Sequence, residues 1–409
     1  MKIGIIGSGA MGSGIAQVAA MAGCEVRIYD ADTHALERGR QLIAKNLLRS
    51  LEKGRLTKDE AADILNRLKP AERLSSLANS DLIIEAVIED LDIKKSIFAE
   101  LELDVSGTCI LATNTSSLSI TSIAAACQKP ERVIGIHFFN PATIMPLVEI
   151  IPALQTDPSV VSRSKQIIND WGKTTVLAKD TPGFIVNRIA RPFYGEALRI
   201  FEEGIADIQT IDHSLKEIGG FRMGAFELMD FIGHDVNYAV TESVWRAMFF
   251  DPRYKPSLTQ KRLVEAGFLG RKSGRGLYDY ESTPPQYKAD KPTTKLETSS
   301  SVEEKIVHRI VVMLINEAAD ALFWQIASRD DIDLAMKKGV NYPKGLLKWA
   351  DDLGIENVVK SLDDLYKTYG EDRYRCSPLL RKMLGNNQNF YENDHSRTSF
   401  RKNDVERCV

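Results

Sequence analysis

Short apolar runs alternate with helical stretches over the first 180 or so residues, and this alternation restricts the fold more than any other feature. KIGII (2–6), EVRIYD (25–30), DLIIEAV (81–87), CILATNT (109–115), VIGIHFF (133–139), LVEII (147–151) and TTVLA (174–178) have the length and β-branched content of strands. Uninterrupted apolar strands separated by helices imply a parallel sheet covered on both faces. The expected class is an α/β Rossmann-type doubly wound sheet, here followed by all-α sequence.

The crossover from Asp30 to Asp81 is too long for a single helix. HALERGRQLIAKNLLRSLEKGRL has helical spacing, and Thr57 with Glu60 three residues later makes a capping box for a second helix, TKDEAADILNRLK. Residues 32–75 therefore read either as a helical arm over a ligand or as an ordinary decorated crossover. From Thr181 the text is helical to about residue 281. ESTPPQYKADKPTTKLETSSS then lacks the apolar content for a core and reads as a linker, 282–301. A second helical block follows at 302–386, and a polar tail at 387–409.

The two helical blocks are copies. At one constant offset, Arg188-Ile189 matches Arg309-Ile310, Glu196-Ala197 matches Glu317-Ala318, and Ile211-Asp212 matches Ile332-Asp333. Gly224, Asp230 and Gly233 match Gly345, Asp351 and Gly354, so an internal duplication is inferred. The expected organisation is 1–180, a nucleotide-binding domain; 181–281, a helical domain that completes the active site; and 302–386, a structural second copy. Asn187 of the first copy is His308 in the second.

A chain of 409 residues suits two or three domains. Its net charge of −3 gives no sign of a nucleic-acid or membrane-surface partner. The five cysteines have no metal-ligand spacing and no disulfide framework. No apolar run reaches the roughly 18 residues of a membrane span, and the chain opens directly on a strand. A cytoplasmic protein without a metal is expected.

Gly7-Ser8-Gly9-Ala10-Met11-Gly12 lies between the first strand and a helix. The first glycine makes the turn, the second lets backbone approach a pyrophosphate, and the third lets helix pack on strand. The helix N-terminus, Ala10 and Met11 included, offers N–H groups and a positive dipole end to phosphates. Asp30 ends the second strand, where a carboxylate accepts the ribose hydroxyls and repels a 2′-phosphate. NAD is therefore expected rather than NADP.

Ligands of such sheets sit beyond the C-terminal strand ends. Thr113-Asn114-Thr115-Ser116-Ser117, His137 with Asn140, Glu149 in LVEII, and Asn187 after Pro182-Gly183 are the polar features expected there. Hydride departure from an alcohol carbon requires loss of the O–H proton, which a histidine can accept and return. Glu149 is the obvious carboxylate partner, since a glutamate in an apolar run should not be buried alone. Taken singly, His137 also reads as a satisfied core residue and Asn187 as a helix cap.

The set GxGxxG, ATNTSSL (112–118), HFFNP (137–141), LVEI (147–150) and DTPGFIVNR (180–188) resembles the L-3-hydroxyacyl-CoA dehydrogenase family. The resemblance covers about 1–281, and 302–384 resembles a second copy of the family's C-terminal domain. RPFYGEALRIFEEG and LGRKSGRGLYDY are similar to the bacterial 3-hydroxybutyryl-CoA or 3-hydroxyadipyl-CoA branch, serving fatty-acid or phenylacetate catabolism.

The resemblance implies that His137 is the base, Glu149 its electrostatic partner, and Ser116 and Asn187 the substrate's hydrogen-bonding residues. Asn140 would support the histidine loop, with Asn114 also at the cofactor side. Glu89 and Lys94 match positions that contact the nicotinamide half of NAD. The arm would lie over CoA, with Lys53 a phosphate contact; Asn46 stands where relatives often carry serine. Single-copy relatives dimerise through the C-terminal domain, so the internal copy would replace the partner in a monomer, or leave a homo-oligomer built through another surface. The alternatives are a non-catalytic, crystallin-like NAD-binding relative and a CoA-independent β-hydroxyacid dehydrogenase.

Overall fold

The structure is a computed structural model that describes residues 1–282 and 300–391. The expected linker lies almost wholly outside the described residues, as do residues 392–409 of the expected tail. The described residues gather into two compact units that do not follow chain order. Unit 1 contains Met1–Ala190, Asp235–Phe250 and Gln325–Tyr342, and unit 2 the remaining segments.

Unit 1 is built on one eight-stranded sheet: β1 (Lys2–Ile6), β2 (Glu25–Tyr29), β3 (Leu68–Ala71), β4 (Leu82–Glu85), β5 (Ile110–Thr113), β6 (Val133–Phe138), β7 (Leu147–Pro152) and β8 (Thr174–Leu177). The order is β3-β2-β1-β4-β5-β6-β7-β8. The reversal beside β1 is the topological switch point at which doubly wound sheets bind ligands.

Two features differ from the sequence expectation. The helix begun at Thr57 stops at Arg67, and Leu68–Ala71 becomes edge strand β3. Its Pro70 had concealed it, and an edge is where a strand tolerates proline. Second, the sheet is not wholly parallel, because β6 and β7 pair antiparallel. Only residues 139–146 join them, too few for a crossover but enough for an antiparallel return.

The arm helices Thr33–Glu52 and Lys58–Arg67 do not stand clear of the sheet. Ile43, Leu47 and Ile64 join the core with Ile15, Val18 and Ala19 of helix Ala10–Met21. The Thr57–Glu60 capping box is formed. The outer face of Thr33–Glu52 carries exposed Arg38, Lys45 and Arg49; Arg40 is exposed at its flank and Lys53 at its end.

Unit 2 is helical, centred on the long helix Ser300–Phe323, which packs on Arg191–Glu202, Ile208–Glu217 and Leu346–Leu353. The two copies exchange equivalent contacts within it. The Tyr254 hydroxyl donates to Glu317 at 2.5 Å, and that of Tyr374 donates to Glu196 at 3.0 Å. Glu196 and Glu317 are matched positions of the repeat, so the two bonds are reciprocal between the copies. Arg309 ties Glu196 and Glu203 beside them, and Arg253 ties Asp320 and Glu317.

Candidate active site

The glycine loop is shaped by close packing. Gly7 has φ +91°, and a Cβ there would lie 2.6 Å from the Ala86 carbonyl oxygen; one on Gly12 would lie 1.8 Å from that of Gly7. Beside Gly9 there is open space. Gly9 caps helix Ala10–Met21 without any side-chain bond, and no acidic residue stands in its first turn. The helix end therefore keeps its N–H groups and dipole available to an anion, which fits a dinucleotide pyrophosphate. Asp30 lies alongside, taking the Ser8 N–H and hydroxyl on one oxygen at 2.7 and 2.8 Å and the Asp32 N–H on the other. A carboxylate has further lone pairs for ribose hydroxyls.

His137 and Glu149 are directly opposed on β6 and β7. Opposed residues of an antiparallel pair present their side chains on one face, and His137 Nδ1 lies 2.7 Å from Glu149 Oε2. Both are buried, at 5% and 0% exposure, so the bond is shielded from water. Glu149 Oε1 accepts the N–H groups of Ile185 and Val186, each at 3.0 Å. One carboxylate thus fixes the imidazole and the start of the short helix Val186–Ile189, which carries half-buried Asn187. With Nδ1–H donated to Glu149, Nε2 keeps its lone pair. Phe139 and Phe184 flank the imidazole at ring-centroid distances of 4.6 and 5.8 Å.

Ser116 follows β5 and is fixed from below. Glu89 Oε1 accepts the Thr115 hydroxyl at 2.6 Å, the Ser116 N–H at 2.9 Å and the Ser116 hydroxyl at 3.2 Å. Burial pushes the Glu89 carboxyl up, but the Thr115 hydroxyl, Lys94 and the Ser116 groups outweigh it and hold the carboxyl below its ordinary range. Lys94 is enclosed, bonding Glu85 at 2.6 Å, with Glu89 at 3.5 Å. Asn114 accepts the Phe138 N–H at 2.8 Å, joining the ends of β5 and β6. Asn140 is exposed on the loop after β6, Asn46 donates to Gln17, and Lys53 is exposed.

Three supports escaped the sequence reading. Asp180 accepts the Ile120 and Thr121 N–H groups and the Ser119 hydroxyl, joining the segment after Ser116 to the turn before Asn187. The Lys173 ammonium binds the Ala142 and Met145 carbonyls of the loop between β6 and β7. Glu85, the buried partner of Lys94, was visible as an acid inside DLIIEAV, the same signal that exposed Glu149. Among the described residues no group of His, Cys, Asp and Glu could hold a metal ion. No described helix is long and apolar enough to cross a membrane.

The sheet order, the glycine loop at the helix N-terminus and Asp30 define a dinucleotide-binding protein of the Rossmann class. Residues 2–181 match the model of the 3-hydroxyacyl-CoA dehydrogenase NAD binding domain, and residues 183–280 and 306–394 each match that of the C-terminal domain. The chain is 39% identical to a 3-hydroxyadipyl-CoA dehydrogenase of Escherichia coli, over 93% of this chain and 96% of that protein. It is 41% identical to a 3-hydroxybutyryl-CoA dehydrogenase of Bradyrhizobium diazoefficiens, over 69% of this chain and 97% of that protein. A crystal structure of 3-hydroxybutyryl-CoA dehydrogenase from Escherichia coli superposes with a TM-score of 0.87 at 38% identity, covering 93% of this chain and 98% of that one. The chain belongs to the 3-hydroxyacyl-CoA dehydrogenase family, and NAD is its cofactor.

Proposed function

We propose that the chain catalyses the reversible oxidation of an L-3-hydroxyacyl-CoA to the 3-oxoacyl-CoA, with His137 as the acid–base residue. The observation that carries the assignment is the buried His137–Glu149 pair at the cofactor edge of the sheet. NAD bound at Gly7–Gly12 supplies the hydride acceptor. His137 Nε2 takes the 3-hydroxyl proton, and the Glu149 carboxylate stabilises the imidazolium so formed. In the reverse direction the same nitrogen returns the proton. The Ser116 hydroxyl, turning its proton from Glu89 to the substrate, and the Asn187 amide N–H donate to the substrate oxygens.

The exposed cations of helix Thr33–Glu52, with Lys53, favour a substrate bearing the phosphates of CoA. The relatives' names favour an acyl group of the 3-hydroxybutyryl or 3-hydroxyadipyl class. The reciprocal Tyr254–Glu317 and Tyr374–Glu196 bonds favour a second copy that takes the place of a dimer partner, leaving a monomer as the working unit. A cytoplasmic location belongs to the same reading.

The test is NADH oxidation with acetoacetyl-CoA, 3-oxoadipyl-CoA and a free 3-oxoacid. Turnover restricted to the thioesters supports the proposal. Turnover of the free acid alone would favour a CoA-independent β-hydroxyacid dehydrogenase, and NADH binding without turnover a non-catalytic relative.

A further inference from the structure

The second helical copy is expected to be structural, yet one of its helices reaches the catalytic strands. Helix Arg329–Gly339 lies in unit 1, packed on β7, β8 and helix Val186–Ile189. Its end approaches closely: a Cβ on Gly339 would stand 2.7 Å from Leu147 Cδ2 and 3.0 Å from Val186 Cγ2. Leu147 opens β7, two residues before Glu149, and is wholly buried. Val186 lies between Ile185 and Asn187, and its own N–H bonds Glu149 Oε1. Just before this helix, the Ile326 carbonyl accepts the Lys179 N–H at 2.8 Å, next to Asp180, which holds the helix after Ser116.

The repeat shows that glycine is not required by the helix itself. In the register that aligns Ile211-Asp212 with Ile332-Asp333, Gly339 corresponds to Ile218, which is 45% exposed. A side chain stands there in the first copy, and in the second it is reduced to hydrogen where the helix end meets Leu147 and Val186. Glycine weakens a helix relative to other residues, so its presence at this contact reflects the close approach.

We infer that helix Arg329–Gly339 of the second copy is a positioning element of the active site, with Gly339 setting the distance to the segments that carry Glu149 and Asn187. The inference rests on the proposed roles of His137 and Glu149. The helix touches no reacting atom; it fixes Leu147 and Val186, and through them the carboxylate and the amide.

The experiment compares the full-length wild type with Gly339→Val, Gly339→Ala and the double variant Gly339→Val/Leu147→Ala. The double variant returns about the volume that the valine adds. Readouts are kcat and KM for acetoacetyl-CoA, the NADH dissociation constant, and circular dichroism with thermal melting. Gly339→Val is expected to lower kcat about tenfold or more at a temperature where the variant is folded, because small misplacements at a reacting centre are costly. NADH affinity should stay within about twofold, since the glycine loop is untouched, and the double variant should recover most of kcat. Should Gly339→Val fail to fold, Gly339→Ala must show the same kcat loss in smaller measure. A lowered melting temperature with unchanged kcat would overturn the inference, as would a kcat loss that the double variant does not recover. An inactive wild type would instead overturn the proposed function, so the two failures are distinguishable.

Discussion

His137 and Glu149 face each other across the antiparallel pair β6–β7, with Nδ1 2.7 Å from Oε2, and both oxygens of Glu149 act as acceptors. Oε2 takes the imidazole N–H and Oε1 takes two backbone N–H groups. A glutamine cannot reproduce this, because its NH₂ must oppose one set of donors. Glu149→Gln should therefore lower kcat about 10²-fold while leaving NADH affinity unchanged. Steady-state kinetics and NADH fluorescence titration on the same preparation check both halves.

Ser116 and Asn187 hold substrate rather than cofactor in this account. Ser116→Ala and Asn187→Ala should each reduce kcat/KM for the acyl-CoA by about 10²-fold. KM for NADH should change little. A rise in the NADH KM in proportion to the lost turnover would place either side chain on the cofactor instead.

The Lys94–Glu85 pair is a stability element beneath the site. The two side chains are 1% and 0% exposed. Removing one partner leaves the other charge buried, so Lys94→Met should cost about 3 kcal/mol or more, read as a shift in the urea midpoint. Adding Glu85→Gln should recover part of the loss.

His308 stands, in the second copy, at the position of Asn187, the residue assigned to the substrate in the first. It is half-buried, and burial holds its imidazole below the ordinary value. The Ser361 hydroxyl donates to the Asn357 carbonyl and so accepts from His308 Nε2, a bond that survives protonation. The unfolded chain therefore binds the proton more tightly than the folded one. Stability should fall as pH drops through about 6.5 and level off below the folded value. His308→Asn should flatten that part of the profile, measured by urea unfolding.

The sequence made the strand positions legible because β1, β4, β5 and β6 are apolar on both faces. Gly7–Gly12 and Asp30 marked the nucleotide edge because each residue type answers one geometric demand. The antiparallel turn of β7 was not legible, since LVEII has the same composition as a parallel strand. Only the short 139–146 connection encoded it. Pro70 concealed β3. The duplication was visible as a register, but not the entry of Arg329–Gly339 into unit 1, because nothing local in that helix says which surface covers it. Glu149 was legible as a carboxylate within an apolar run; Glu85 carries the same signal in DLIIEAV and escaped notice. Asp180 and Lys173 bind backbone atoms, and such partners leave no pattern in composition or spacing.

In the proposed reaction His137 carries the proton to and from the 3-oxygen of a 3-hydroxyacyl-CoA, with NAD as the hydride acceptor. Single-turnover oxidation of NADH by acetoacetyl-CoA, compared between the wild type and His137→Gln, tests it most directly. The proposed role of His137 predicts rapid oxidation by the wild type and a rate lower by about 10³-fold in the variant, with NADH affinity preserved. A His137→Gln rate within about tenfold of wild type would contradict it.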